Sequence, residues 1–95
     1  MAAKIIIKRR VSGDKAHEME QYIDLLRQAA MTHPGYFYGD TDVRDDRSSR
    51  EYVVTSTWQS YGHWERWMTS SLRGAIQCRI DQLADSNTEY QLCRN

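Results

Sequence analysis

The chain is poor in the residues that bind metals or cross-link a fold. Its 95 residues contain two cysteines and three histidines. Cys78 and Cys93 form no CxxC pair, and His17, His33 and His63 are scattered, so no spacing typical of a zinc site is present. We therefore expect no metal site, with His17 and His33 at the surface, and two free thiols in a reducing compartment, buried as small hydrophobic residues.

A net charge of one sign and long apolar runs are also missing. Thirteen lysines and arginines balance thirteen aspartates and glutamates, which argues against nucleic acid or an anionic membrane as the main partner. The apolar run Ile5–Ile7 is followed at once by basic residues, whereas a membrane span needs about 20 apolar residues. The same pattern does not fit a signal peptide. We expect one cytoplasmic domain over residues 1–95.

Tryptophan, in contrast, is concentrated in one short segment. All three tryptophans lie between Trp58 and Trp67, together with Tyr61 and His63. Each tryptophan must bury a large ring and still find a partner for its N–H group. The segment is therefore either an aromatic corner of the core or the wall of a pocket for a flat apolar ligand.

The first 58 residues predict three strands and one long helix. The β-branched run in Lys4–Arg10 predicts a strand, and Tyr36–Arg44 and Glu51–Trp58 predict a hairpin around a solvated loop over residues 45–50. Apolar residues at helical spacing predict a helix over Lys15–Met31, which the only proline ends. The apolar positions of this helix are Met19, Tyr22, Ile23, Leu26 and Ala30.

The remainder predicts two further helices and a last strand. Ser60 suits the N-cap of a helix running to about Met68, and Ser70 or Ser71 suits that of a third helix. Residues 88–93 alternate as a strand. The third helix is expected to bury the stripe Leu72, Ala75, Ile76, Ile80 and Leu83. The order β-α-β-β-α-α-β predicts an α+β, ferredoxin-like fold with a four-stranded antiparallel sheet.

Two of the strands have apolar residues on both faces. Ile5–Ile7 are consecutive, and Tyr52 is followed by Val53, which a sheet with one solvated face does not need. Since the helices cover only one face, a second copy packed sheet to sheet is the simplest cover for the other. We therefore expect an apolar second face and a homodimer. Alternation also places Tyr36 and Tyr38 on one face of their strand.

The order and spacing of several motifs form a recognisable pattern. These are Pro34-Gly35, the strand end Tyr52-Val53-Val54-x-x-x-Trp58, and then Ser60, Trp64, Trp67, Ser70, Leu72 and Arg73. The pattern resembles the antibiotic biosynthesis monooxygenase family over residues 4–92. The resemblance implies a dimeric α/β barrel. It also implies one of two activities: cofactor-free oxygenation of polycyclic aromatic or quinol-like compounds, or haem degradation.

Individual positions separate these branches of the family. Haem-degrading members carry a haem-ligating histidine, where this chain has Gln77, and an asparagine that its first strand lacks; both differences disfavour haem degradation. Quinol-oxidising members carry an asparagine and a tyrosine where this chain has Val54 and Trp64. The aromatic wall is thus kept, while one polar contact and one phenol hydroxyl are replaced.

The resemblance and the chemistry of oxygenation together suggest site residues. The reaction needs a dry pocket, a proton acceptor and a donor to the developing oxyanion. We expect catalytic roles for His63 and Trp67, and no metal or other cofactor. The expected substrate-binding residues are Trp58, Trp64, Tyr36, Tyr38 and Arg73. Each also has a structural interpretation: core packing for the tryptophans, solvation for the histidine, a salt bridge or helix cap for the arginine, and the dimer interface for the tyrosines.

The sequence therefore predicts a monooxygenase that oxidises a small aromatic or quinol-type compound without a cofactor. One alternative is a non-catalytic module of the same fold that binds an aromatic metabolite, which Val54 favours because a binder needs no proton acceptor. The other is a haem-binding or haem-degrading protein with ligation through His63 or Cys78. Neither nucleic acid nor a membrane is an expected partner.

Overall fold

The element order matches the predicted β-α-β-β-α-α-β pattern. The computed structural model describes residues 2–93. A short 3-10 turn, Gly13–Lys15, precedes the first helix. The elements are β1 (Ala3–Ser12), α1 (Ala16–Met31), β2 (Tyr36–Asp46), β3 (Ser49–Trp58), α2 (Tyr61–Met68), α3 (Ser71–Leu83) and β4 (Glu89–Cys93).

The four strands form one antiparallel sheet in the order β2-β3-β1-β4. Along β1, Ala3, Ile5, Ile7, Arg9 and Val11 are buried, whereas the residues between them are exposed or half-buried. Since side chains alternate along a strand, one face of the sheet lies under the helices and the other is open. This arrangement is the predicted α+β, ferredoxin-like fold.

The core lies between this face and the helices. From α1, four of the five positions expected from helical spacing are buried, namely Met19, Ile23, Leu26 and Ala30, as is Ala16, whereas Tyr22 is half-buried. Tyr52 and Trp58 of β3 and Ile80 of α3 complete it, each with at most 1% of its surface exposed. Hydrophobic periodicity was therefore sufficient to identify the buried face of α1.

Serine side chains start the two shorter helices, as predicted. The Ser60 hydroxyl accepts a hydrogen bond from the His63 amide, and the Ser70 hydroxyl accepts one from the Arg73 amide, both at 3.3 Å. Each bond satisfies a backbone N–H that has no partner within its own helix. Ser70, and not Ser71, is therefore the cap of α3.

The expected register of β2 is wrong at its beginning. A bulge at Phe37 lets Tyr36 pair with Trp58 and Tyr38 with Thr57. Because a bulge adds one residue to one strand, the alternation shifts by one position. Tyr36 therefore lies on the helix side of the sheet, whereas Tyr38 lies on the open side with 57% of its surface exposed.

The buried stripe of α3 also differs from the expected one. Leu72 and Ala75 are exposed, while Arg73 and Gln77 are buried beside Ile80. Gln77 is buried because its Oε1 atom accepts hydrogen bonds from Arg9, a buried arginine on β1, and from Arg73 itself. Apolar periodicity identifies a buried face correctly only where that face is apolar.

Two smaller expectations are corrected. The solvated loop over residues 45–50 is shorter than predicted, because β2 continues to Asp46 and β3 begins at Ser49. The cysteines, expected to be small buried residues, are an exposed Cys78 and a half-buried Cys93, both free.

Within residues 2–93, no helix is long and apolar enough to cross a membrane.

The hydroxyl of Tyr52 links β3 to the N-terminal part of α1 through two hydrogen bonds. The Tyr52 hydroxyl lies 2.6 Å from Glu20 Oε2 and 3.1 Å from the carbonyl of Ala16. Burial and the bond to Glu20 raise the pKa of Tyr52 to about 12. The same hydrogen bond, with help from Arg50, lowers the pKa of Glu20 from its ordinary 4.5.

We expect Tyr52→Phe to lower the free energy of unfolding at neutral pH by about 1–2 kcal/mol, because a hydrogen bond to a carboxylate is lost. A carboxyl with a lowered folded-state pKa stabilises the fold above its unfolded pKa, and this effect disappears on protonation. The difference in the free energy of unfolding between Tyr52→Phe and the parent protein should therefore shrink as the pH falls below 4.5.

Urea unfolding near neutral pH and again at about pH 3 measures both parts. Tyr22→Phe is the matched control, since within the described residues its hydroxyl makes no side-chain hydrogen bond. A Tyr52→Phe effect of equal size at both pH values contradicts the role given to Glu20.

Candidate functional site

The three tryptophans form one cluster around Trp58. The Trp58 ring stacks on Trp67 at 6.1 Å with planes 25° apart, and meets Trp64 at 6.0 Å and Tyr36 at 5.2 Å edge to face. These are favourable aromatic geometries. Trp58 is fully buried, and Trp64 and Trp67 are 5% and 4% exposed.

A partly enclosed cavity lies beside this cluster, between the sheet and the helices. Val54, Ser56 and Trp58 of β3 line it from the sheet, and Leu26 and Ala30 of α1 from above. The unfilled space, including the open mouth, is about 500 Å³. We call this cavity the slot; its mainly apolar and aromatic lining suits an aromatic ligand.

The tryptophans are core residues and cavity walls at once. Trp58, Trp64 and Trp67 all line the slot, although each is nearly inaccessible to solvent. The Trp58 indole N–H donates to Ser56 Oγ at 3.2 Å. The alternatives left open by the sequence are therefore not exclusive, because the same ring can pack against the core on one side and face the slot on the other.

One end of the cavity is cationic. Arg9 of β1 and Arg73 of α3 line it, with 3% and 7% of their surfaces exposed. Burial lowers the pKa of Arg9 to about 10, so its guanidinium remains charged at neutral pH. Within residues 2–93, no carboxylate lies within 4.0 Å of either guanidinium.

A glutamine holds the two arginines together. The Oε1 atom of Gln77 accepts hydrogen bonds from Arg9 at 3.0 Å and from Arg73 at 3.5 Å. Its Nε2 group donates to Asp81 at 2.8 Å and to Thr88 at 2.9 Å. Arg73 also donates to the hydroxyl of Tyr90 and lies 5.4 Å from the centre of that ring. These neutral contacts position the guanidiniums without neutralising them.

On the α1 side, a hydrogen bond between Arg27 of α1 and Thr41 of β2 borders the cavity. The Arg27 guanidinium donates to Thr41 Oγ1 at 2.7 Å. Both residues line the slot and also a wider, more polar groove outside it. This contact therefore lies between the cavity and solvent.

The structure places two of the predicted site residues away from the cavity. His63 does not line it: its Nδ1 lies 2.7 Å from Ser60 Oγ, and its ring packs against Gly35. Tyr38 points to the open face of the sheet, as described above. Tyr36, Trp58, Trp64, Trp67 and Arg73 do come together around the slot.

Two residues were missed by the sequence reasoning. His33, expected at the surface, is half-buried, and its ring lies 5.4 Å from Trp67 and 6.4 Å from Trp58. Arg9 was placed in a basic stretch with no role. Its signal was present, because Arg9 follows Ile5 and Ile7 at a spacing of two and so shares their buried face.

The described residues do not fit haem. Gln77, at the position of the ligating histidine, uses both ends of its amide in hydrogen bonds. Cys78 is exposed on α3, and His63 lies outside the cavity lining.

Comparison with solved structures agrees with the fold. The chain is similar to Rv0793 from Mycobacterium tuberculosis, with a TM-score of 0.86, 12% identity, and coverage of 100% of this chain and 95% of that one. It is also similar to SnoaB, a cofactor-independent oxygenase from Streptomyces nogalater, with a TM-score of 0.81, 16% identity, and coverage of 100% and 94%. Comparison with curated proteins gave no match.

The fold and the cavity define a ferredoxin-like α+β protein with an aromatic slot beneath its helices. The family model described as antibiotic biosynthesis monooxygenase matches residues 3–78. The chain belongs to the antibiotic biosynthesis monooxygenase family.

Proposed function

We propose that the protein is a cofactor-independent monooxygenase acting on a small aromatic or quinol-type compound in the tryptophan-lined slot. The observation that carries the proposal is the juxtaposition of three aromatic walls with buried positive charge. Family membership supports it, as does the similarity in fold to a protein named as a cofactor-independent oxygenase.

The proposed reaction takes its electrons from the substrate. The substrate loses a proton, either from a ring C–H conjugated to a carbonyl or from a phenolic O–H, and the resulting anion forms a C–O bond with O₂ at a ring carbon that still carries a hydrogen. Protonation gives a hydroperoxide. Loss of the remaining proton from that carbon then breaks the O–O bond, so that a carbonyl forms and water leaves. No external reductant is required, because the four electrons that reduce O₂ come from the oxidised carbon.

In this proposal the protein supplies walls and charge. Trp58 closes the apolar end of the slot, and Trp64 and Trp67 offer indole N–H groups to the developing oxyanion. Within the described residues neither of these two N–H groups makes a side-chain hydrogen bond. Donors aimed at developing charge in a dry site act more strongly than they do in water.

The proton leaves without a side-chain base in this scheme. The residues that line the slot include no histidine, aspartate or glutamate. Positive charge at Arg9 and Arg73 favours the anionic form of a bound phenol or enol, and solvent at the Arg27–Thr41 mouth takes the proton. His63 is therefore assigned to packing and not to catalysis.

Oxygen uptake with a panel of hydroquinones and anthrones tests the activity. We expect Trp67→Phe, which keeps a ring but removes the N–H, to lower kcat by about tenfold to a hundredfold with little change in KM. Phe37→Leu, a change at an exposed residue that does not line the slot, is the control and should leave uptake unchanged.

The same panel tests the second candidate function. A non-catalytic binding module is favoured by Val54 and by the lack of a base in the slot. Tight binding of the panel compounds under air without oxygen uptake would establish that function and exclude the monooxygenase.

We further propose that two copies pack through the open faces of their sheets. Ile6 and Val53 lie on this face and are half-buried within one chain. The face is less apolar than the sequence suggested, since Lys4, Lys8 and Asp40 surround this centre. Charges of both signs around an apolar centre suit a self-complementary interface. Localisation in the cytoplasm remains a prediction from the sequence.

A further inference from the structure

The cationic end of the slot has more hydrogen-bonding capacity than the protein uses. A guanidinium has five N–H donors. Within residues 2–93, the Arg9 guanidinium makes one hydrogen bond, to Gln77, and its Nε group is buried without a partner. In the same part of the chain, the Arg73 guanidinium donates only to Gln77 and Tyr90. The two side chains therefore present unused donors in a region where water has little access.

The charge of this pair is also unbalanced. Buried cations in proteins are normally paired, because removing a charge from water is costly unless an opposite charge replaces the solvent. Arg9 and Arg73 repel each other across Gln77, and the nearest acid in their network, Asp81, bonds to the amide and not to a guanidinium. Asp81 is itself exposed, so solvent screens its charge.

The rest of the slot has the opposite character. Ile7 and Val54 lie beside the cationic end, and the tryptophans continue from there. Trp64 joins the two ends, since its ring lies 6.1 Å from Tyr90 and 6.0 Å from Trp58. A ligand that fills the slot therefore meets aromatic faces along one part and two planar cations at the other.

We propose that the ligand of this cavity is a planar aromatic carboxylate whose carboxylate group binds between Arg9 and Arg73 while its rings lie against Trp64 and Trp67. A carboxylate matches the planar fork of a guanidinium and accepts two parallel N–H bonds. One carboxylate between two arginines leaves one positive charge, which stabilises the substrate anion of the oxygenation. This inference rests on the proposed function only for that last step.

The arginine pair is then a feature kept for binding at a cost in stability. If the pair served the fold alone, removing one member would destabilise the protein. If it serves a ligand, removing an unpaired buried cation leaves the ligand-free protein as stable as before, or more stable. Arg9→Met, which keeps the apolar stem, separates these two possibilities through the thermal midpoint.

Binding of redox-inert probes tests the inference without any turnover. 2-Naphthoate and 2-naphthamide have the same rings and nearly the same shape, and only the first is charged. We expect titration calorimetry to show that the parent protein binds 2-naphthoate at least about tenfold more tightly than 2-naphthamide. This preference should disappear in Arg9→Met and Arg73→Met, and should persist in Arg79→Met, an exposed arginine on the same helix as Arg73.

Each outcome decides the question. Equal binding of the two probes by the parent protein overturns the inference, as does an unchanged preference in Arg73→Met. If Arg9→Met lowers the thermal midpoint or fails to fold, the pair is structural and the inference is also overturned. A carboxylate preference without oxygen uptake on hydroxylated naphthoates supports this inference and removes the proposed monooxygenase. Oxygen uptake with neutral hydroquinones, together with equal binding of the two probes, supports the proposed monooxygenase and overturns this inference.

Discussion

Gly35→Ala is expected to lower the free energy of unfolding by about 2–4 kcal/mol, from a left-handed backbone penalty and a steric clash. Gly35 has φ +89°, and a Cβ built on it lies 2.4 Å from the Cγ and Cδ2 atoms of His63. The backbone here is also fixed, because the Gly35 carbonyl accepts a hydrogen bond from the Gln59 amide at 2.6 Å. The clash must therefore be relieved by movement of α2, which carries Trp64 and Trp67.

A double variant separates the two causes. In Gly35→Ala/His63→Gly all three clashing atoms of residue 63 are gone, so relative to His63→Gly the alanine at 35 should cost only the backbone penalty of about 1–2 kcal/mol. Gly74→Ala is the matched control: nothing lies within 4 Å of its added Cβ, and a helical glycine replaced by alanine should stabilise the protein by about 0.5–1 kcal/mol. Urea unfolding measures the parent protein, the single variants Gly35→Ala and His63→Gly, their double variant, and Gly74→Ala. Strictly additive effects of the two single variants would contradict the contact between Gly35 and His63.

Ile6→Asp is expected to convert the protein from a dimer to a species of one 11.2 kDa chain. Ile6 lies on the open face between Thr55 of β3 and Gln91 of β4. In a dimer packed through this face, the substitution buries a carboxylate near its own symmetry mate, which costs several kcal/mol and so weakens association at least about a hundredfold.

Sedimentation velocity at micromolar concentration measures this change. Leu72→Asp is the control, because it introduces the same charge at an exposed apolar residue of α3 away from the sheet. It should leave the dimer intact. A parent protein that sediments as a single chain is evidence against the proposed interface whatever the variants do.

The fold could be predicted largely from local patterns in the sequence. Met19, Ile23, Leu26 and Ala30 follow the helical period, and Ser60 and Ser70 cap helices where a cap was expected. These signals are local, because a hydrogen-bonded turn or a buried stripe depends on residues three or four positions apart.

The site was less predictable, because it depends on contacts between distant segments. The bulge at Phe37 places Tyr38 on the opposite face from Tyr36. The alternation of side chains along a strand does not indicate where a bulge inserts a residue, so this shift could not be predicted. In the sequence, His63 lies among the aromatic residues of the tryptophan segment, which suggested a catalytic base. In the tertiary structure its ring packs against the backbone of Gly35, in a turn distant in sequence, and does not line the slot.

What the sequence alone determined is the element order, the caps and a tryptophan cluster at the end of β3. Each of these depends on periodicity or spacing along the chain. What only the tertiary structure decided is the nature of the cavity. Arg9 and Arg73 lie far apart in sequence, and their shared burial around Gln77 arises only when α3 packs over β1. Charge burial is a property of the packed layers, because the solvation of a side chain depends on everything that surrounds it.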